Sequence, residues 1–257
     1  MLDLDSPQRA AFAPEADVPR AVPELIKKLQ KAPPDDDWEE IWKLIAGQWS
    51  LTLSAYPAVP HLVRLLEEQG RLARPELLAG LARCACPLER EAECPAELRD
   101  EFAQALAKAA AVATRLAKDR AQPADDYVSI LCSAAALSGR KKLGPLALSA
   151  AYGSEEEIPV RCPSCHEILT VVFTKRSSKV TVRVEDEGSS PATAAVVPAE
   201  EKAAEGTDFA WGLALAQQAG QTEAVAWLRG LAGFGEYPLC HAAFVPLDSL
   251  CFADTPG

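Results

Sequence analysis

Two related nine-residue segments constrain the fold of this 257-residue chain more than any other feature. Residues 21–29 read AVPELIKKL and residues 58–66 read AVPHLVRLL, with an offset of 37 positions. Apolar residues recur at helical spacing in both, and we expect each proline near the start of its helix, where a missing N–H costs nothing. A period of this size predicts stacked helices, because a single unit cannot bury its own apolar face.

The same periodicity continues along the first half of the chain. It predicts helices over residues 21–31, 35–48, 57–69, 74–84 and about 96–118. Pro123 and the acidic pair at 125–126 introduce a further helix that ends at Gly139, and a short helical segment follows at 143–151. The second of these helices carries a stripe more typical of a core than of a ligand pocket, formed by Trp38, Ile41, Trp42, Ile45 and Trp49. His61 takes the place that Glu24 has in the first segment, and we expect it on the exposed side of its helix.

The paired AVPxL(I/V)(K/R)xL segments resemble HEAT-like helical repeats, and the resemblance covers residues 18–150. It implies an α-solenoid that binds partners along a surface, usually without catalysis. The sequence also lacks a glycine-rich phosphate loop, a GxSxG elbow and an HExxH helix. We therefore expect a mainly α protein that is not an enzyme.

Charge and hydropathy narrow the range of partners. The formal net charge of −11 argues against nucleic acid and anionic membranes, since both require a positive protein surface. No apolar run approaches the ~20 residues needed to span a bilayer, and the N-terminus shows no signal-peptide pattern, so we expect a cytoplasmic protein. A basic partner suits this charge, and the candidate partner-binding residues are the acidic run of the second helix: Asp35, Asp36, Asp37, Glu39 and Glu40.

The sequence changes character after Gly153. Residues that favour strands alternate over three short runs, at 158–161, 168–174 and 179–184. Residues 187–206 are rich in Ala, Ser, Pro and Glu and predict a mobile linker. Two closing helices are expected at 207–219 and 221–232. We divide the chain into a helical domain, 1–152, and a second unit, 153–257, that holds the hairpin, the linker, the two helices and a returning C-terminal segment.

The motif Cys162-Pro-Ser-Cys165-His166 lies between the first two predicted strands. Two cysteines separated by two residues can present both sulfurs to one metal ion from a tight turn. A degraded copy, Tyr237-Pro-Leu-Cys240-His241, has tyrosine in the place of the first cysteine. The strand, the Cys-Pro-x-Cys turn and the returning strand resemble the first half of a zinc ribbon, which implies a structural zinc ion.

Tetrahedral zinc requires four ligands, and we expect Cys162, Cys165, Cys240 and one histidine. We favour His241 over His166, because His166 would have to reach back over its own turn. Two alternatives stay open at this point. One is a ribbon that has lost its metal and keeps its fold through the hairpin, and the other is a catalytic metal or redox use of the thiols.

These features together predict a non-catalytic interaction protein that holds another protein on an acidic helical surface. A bacterial immunity protein that neutralises a basic toxin or effector is the narrower hypothesis. The alternative is a zinc-ribbon regulator associated with nucleic acid, since Lys175, Arg176 and Lys179 lie at the predicted hairpin turn. Acidic residues at 185–187 offset that charge, and no aromatic residue is interleaved for base stacking, so nucleic acid is the less favoured partner.

Overall fold

In the computed structural model, the helices of the first half lie close to their predicted positions. The structure describes residues 18–31, 35–45, 52–69, 75–85, 96–147, 157–173, 180–183, 193–200 and 206–250. Within these ranges six α-helices precede the sheet: α1 (Val18–Lys31), α2 (Asp35–Ile45), α3 (Ala55–Gln69), α4 (Pro75–Arg83), α5 (Ala96–Leu116) and α6 (Ala124–Leu137). The mainly helical architecture expected from the periodicity is confirmed.

The 37-residue repeat is visible in the burial of α1 and α3. Four matched pairs of apolar side chains are buried: Val22 and Val59, Leu25 and Leu62, Ile26 and Val63, and Leu29 and Leu66. Both helices begin earlier than expected, at Val18 and Ala55, which are again 37 residues apart. Pro23 and Pro60 therefore lie inside their helices rather than near the starts. The fixed φ of proline suits a helix. Each proline nevertheless lacks the N–H that would bond to the carbonyl four residues earlier, and its ring crowds that carbonyl.

Helices two apart in the chain pack against each other. α1 contacts α3 and α3 contacts α5, while α2 contacts α4 and α4 contacts α6. The odd and even helices thus form two layers, which are joined by contacts between consecutive helices. Ile41, Trp42 and Ile45 of α2 are buried, as predicted. The side chain of Trp38 and the whole of Trp49 lie outside the described residues.

His61 differs from its expected placement on the outside of α3. Only 5% of its surface is exposed, whereas the matched residue Glu24 is exposed and pairs with Lys27 at 3.5 Å. α1 packs against α2 and α3, but α3 packs against α4 and α5 as well. The same helix face is therefore an outer surface in α1 and an inner one in α3, so the expectation for His61 is corrected.

Six antiparallel strands follow in one sheet, ordered as they occur in the chain. They are β1 (Glu157–Arg161), β2 (Ile168–Phe173), β3 (Val180–Arg183), β4 (Thr193–Val197), β5 (Phe234–Glu236) and β6 (Ala243–Phe244). The predicted mobile linker at 187–206 is wrong at its centre, because β4 lies there and pairs with both β3 and β5. After a 3₁₀ helix, Pro246–Asp248, Leu250 bridges to Val160 of β1. The chain thereby returns to the first strand of the sheet.

The two closing helices, α7 (Asp208–Ala219) and α8 (Thr222–Leu231), match their predicted positions and attach the sheet to the helical layers. Both pack against α6. Just after α6, the Arg140 guanidinium lies 3.3 Å from the Asp208 carboxylate and 4.4 Å from the centroid of the Trp211 ring. On the other side, Arg229 of α8 donates to the Ala199 carbonyl at 2.7 Å, just beyond β4.

The predicted boundary between residues 152 and 153 lies outside the described ranges. On either side of it, α7 and α8 of the second predicted unit pack directly on α6 of the first. None of the helices in the described ranges is both long enough and apolar enough to cross a bilayer.

Candidate metal centre

The Cys162-Pro-Ser-Cys165-His166 motif forms the turn between β1 and β2, which spans residues 162–167. The Cys162 amide donates to the Glu167 carbonyl at 2.9 Å, and the His166 amide donates to the Cys162 carbonyl at 3.1 Å. These two bonds close the turn around Cys162. The side chain of this cysteine is therefore held at the end of the sheet, with 1% of its surface exposed.

Residues 237–242 form a second turn of the same length, between β5 and β6. The Tyr237 amide donates to the Ala242 carbonyl at 2.8 Å, and the His241 amide donates to the Tyr237 carbonyl at 2.9 Å. His166 and His241 hold equivalent places, and they are the two non-glycine residues of the described chain with positive φ, at 63° and 59°. The degraded copy seen in the sequence is thus a structural copy as well.

The two turns bring three cysteine sulfurs together. The Sγ atoms of Cys162, Cys165 and Cys240 lie within 4.8 Å of one another, and no disulfide joins them. The Sγ atoms of Cys162 and Cys240 are 3.5 Å apart and connect one turn to the other. In a tetrahedral site with metal–sulfur bonds of ~2.3 Å the sulfurs lie about 3.8 Å apart, so this spacing suits a metal ion.

Backbone amides prepare the first of these sulfurs for metal binding. Burial favours the neutral thiol of Cys162, but amide donors from Cys165 and Ser164, each 3.4 Å from the sulfur, outweigh it and lower the pKa of Cys162. In the second turn the Ala242 amide favours the thiolate of Cys240, while desolvation and the neighbouring thiols raise the pKa of Cys240 overall. The thiolate is thus favoured at the buried position, and a cation would favour it at all three.

Tyr237 fills the place that Cys162 has in the first turn. It is fully buried, and its hydroxyl makes no hydrogen bond of regular geometry. Desolvation, together with the neighbouring thiols of Cys165 and Cys162, raises the pKa of Tyr237. The Cys165 side chain lies within hydrogen-bonding reach of this hydroxyl, but a thiol is only a weak partner for a buried oxygen. An atom that bonds this oxygen would therefore stabilise this end of the sheet.

The structure leaves the predicted ligand His241 outside the cluster. Its Nδ1 lies 2.7 Å from Glu236 Oε1, and 78% of the side chain is exposed. His166 is exposed too. Neither imidazole belongs to the group of ligand atoms that lie within 4.8 Å of one another, and that group consists of the three cysteine sulfurs in the described residues. Three of the four expected ligands therefore meet, and the fourth does not.

A metal ion bound to the three sulfurs would tie the β1–β2 hairpin to the β5–β6 hairpin. The thiols of Cys165 and Cys240 are exposed and Cys162 is buried, so the cluster lies at the surface with one side turned inward. From sequence alone, Tyr237 is a position at which the second motif lacks a cysteine ligand. Its place at the start of the second motif matches that of Cys162 in the first, and this match is the sequence feature that predicts a side chain beside the same cluster.

The acidic residues expected to bind a partner lie on α2. Glu40 is exposed, while the side chains of Asp35, Asp36, Asp37 and Glu39 lie outside what the structure describes. The basic hairpin turn at 175–179 is outside it as well. Comparison with protein-family models, with curated proteins and with solved structures finds no match to this chain.

Proposed function

We propose that this chain is a non-catalytic protein-binding protein: a HEAT-like solenoid that holds a basic partner on its acidic α2 surface. The observation that carries the proposal is the orientation of α2. Ile41, Trp42 and Ile45 are buried while Glu40 is exposed, so the helix turns its apolar stripe inward and its opposite face to solvent. With a net charge of −11, that face would attract a basic protein over several ångströms before contact.

The packing of alternate helices supports the solenoid part of the proposal. α1, α3 and α5 follow one another in one layer, and α2, α4 and α6 follow one another in the second. In such an array each layer provides a row of helices to solvent, which is the surface that helical-repeat proteins use for partners. A basic toxin or effector is the narrower partner class that we propose, in a bacterial immunity role.

Zinc is the metal that we propose for the cysteine cluster, and its role is structural. Thiolate ligands suit zinc, and zinc sites of this kind stabilise small sheets that bury little apolar surface. Cys162 and Cys240 are 78 residues apart in the chain and belong to different hairpins, so an ion between them would hold the two hairpins together. Because thiolate ligands must stay reduced to bind zinc, we propose the cytoplasm as the compartment in which the protein works.

Charge reversal on α2 tests the partner-binding proposal. The full-length protein carrying Asp36→Lys and Glu40→Lys serves as bait, beside the wild type, in an extract of cells that express it. Proteins captured by the wild type are identified by mass spectrometry, and their affinity is then measured at low and high salt. We expect at least about tenfold weaker binding by the α2 variant, because like charges across an interface are repulsive.

A matched control reverses two acidic residues elsewhere. Glu67 of α3 and Glu97 of α5 are both exposed, and Glu67→Lys with Glu97→Lys gives the same net charge as the α2 variant. Equal loss of binding in both variants would mean that net charge alone matters, and unchanged binding by the α2 variant would reject its surface. A gel shift of nucleic acid by the wild type at modest salt would instead support the regulator alternative.

A further inference from the structure

Tyr237 brings a buried oxygen to the cysteine cluster. None of its surface is exposed, and its hydroxyl lies beside the thiols of Cys165 and Cys162 without a regular hydrogen bond. The first and fourth residues of the two matched turns are Cys162 and Cys165 in one, and Tyr237 and Cys240 in the other. Three of these four equivalent positions carry the clustered sulfurs.

Burial divides the four positions in the same way in both turns. The first residue is buried, with 1% exposure for Cys162 and none for Tyr237. The fourth residue is exposed in each case, as seen for Cys165 and Cys240. The cluster therefore has two inner and two outer positions, and Tyr237 occupies the second inner position.

Other candidates for a fourth donor are directed elsewhere. His241 pairs with Glu236 at 2.7 Å and His166 is exposed. Within the described residues the group of histidine, cysteine and carboxylate atoms that could share one ion consists of the three cysteines alone. Glu167 is close enough to act on the Tyr237 hydroxyl electrostatically, but its carboxylate is not a member of that group.

We infer that the Tyr237 hydroxyl is the fourth donor of this centre, so that a zinc ion is held by three sulfurs and one phenol oxygen. The inference rests on the structural zinc ion proposed above for the three cysteines, which we call the zinc staple, and adds the identity of its last ligand. It accounts for two features together: a buried hydroxyl whose nearest side-chain partner is a cluster thiol, and a turn geometry that is repeated in the second turn, where tyrosine stands in the place of the first cysteine. The phenol is longer than a thiol, and its hydroxyl interacts with the Cys165 side chain.

Zinc titration of the full-length protein tests the inference. Affinity for Zn²⁺ is measured by competition with a chromophoric chelator for the wild type, Tyr237→Phe and Tyr127→Phe. Tyr127 is the matched control, since it is equally buried but lies in α6, where its hydroxyl donates to the Ala117 carbonyl. We expect at least about tenfold weaker zinc binding for Tyr237→Phe and an unchanged affinity for Tyr127→Phe.

A spectroscopic readout separates a ligand from a residue that only packs beside the site. Zinc binding by the wild type should produce the ultraviolet absorption of tyrosinate, and this signal should vanish in Tyr237→Phe but persist in Tyr127→Phe. With Co²⁺ as the probe, Tyr237→Cys should give a four-thiolate site with stronger sulfur-to-cobalt charge transfer than the wild type. Circular dichroism in the presence of a chelator checks that each variant keeps the fold.

The outcomes are distinguishable. Zinc bound equally well by the wild type and Tyr237→Phe, without a tyrosinate signal, overturns the inference and leaves the zinc staple in place. Absence of zinc binding by the wild type overturns both. Loss of zinc by Cys165→Ser, together with weakened binding and loss of the tyrosinate signal in Tyr237→Phe, supports the assignment of all four donors.

Discussion

Gly80 allows α2 and α4 to approach closely, and Gly80→Ala should therefore destabilise the protein. A Cβ atom added at Gly80 would lie 1.8 Å from Trp42 Cε2, 2.1 Å from Cζ2 and 2.3 Å from Cδ2. Trp42 is only 4% exposed, so the indole is enclosed by its neighbours. The clash involves a rigid ring rather than the flexible end of a side chain, and the two helices must separate to relieve it.

The magnitude follows from two opposing effects. In an exposed helix interior, Ala in place of Gly stabilises by about 1 kcal/mol. Overpacking of a buried contact costs about 1–3 kcal/mol, and a contact this short belongs at the upper end of that range. The net loss in the free energy of unfolding should be about 2 kcal/mol. For a chain of this size that corresponds to a fall in Tm of about 4–8 °C.

Urea denaturation and thermal melting of the wild type, Gly80→Ala, Trp42→Leu and the double variant measure the effect. Because leucine frees the space that the indole occupies, Gly80→Ala should be neutral or stabilising by about 1 kcal/mol in the Trp42→Leu background. Gly212→Ala is the control, since its Cβ would meet only the Leu143 side-chain end at 3.0 Å and Leu228 methyls beyond that. A Gly80→Ala protein as stable as the wild type would refute the close approach of α2 and α4.

Two further predictions concern the core and the cluster. Tyr127→Phe removes a buried 2.6 Å hydrogen bond to the Ala117 carbonyl and should lower the free energy of unfolding by about 1–2 kcal/mol. Urea denaturation should show a lower midpoint without a change in slope, and an unchanged midpoint would contradict the prediction. Zinc at a hundredfold excess over its Kd should raise the free energy of unfolding by about 2.7 kcal/mol in the wild type. A chelator should abolish that gain, and Cys165→Ser should gain no stability from zinc. An equal zinc-induced gain in the wild type and in Cys165→Ser would contradict the zinc staple.

Helical periodicity predicted most of the first half because each helix there carries its own apolar stripe. The four matched pairs of buried residues in α1 and α3 show that the repeat specifies what faces inward. The repeat does not specify what lies outside, because that depends on the position of a helix in the array. Glu24 of α1 and His61 of α3 occupy equivalent places in the repeat. The helix α3 packs extensively against α5, whereas α1 packs mainly against α2 and α3, and His61 is buried while Glu24 is exposed.

Strand β4 was not predictable from local sequence because its stability comes from its neighbours. Thr193–Val197 contains two alanines and lies in a stretch rich in Ala, Ser, Pro and Glu. Its backbone pairs with β3 on one side and β5 on the other, so tertiary hydrogen bonds compensate for weak local propensity. A composition rule that detects linkers has no access to those two partners.

The cysteine cluster was predictable in part because its two turns share a sequence pattern, whereas the choice of a fourth donor needed their backbone geometry. Residue type favoured His241, since imidazole is a frequent zinc ligand. Both His241 and His166, at the same place in the two turns, have positive φ and are exposed. The first place directs its side chain inward in both copies, and there the second turn carries Tyr237. The fourth donor that we infer therefore follows from position within the turn, whereas the prediction of His241 followed from residue type.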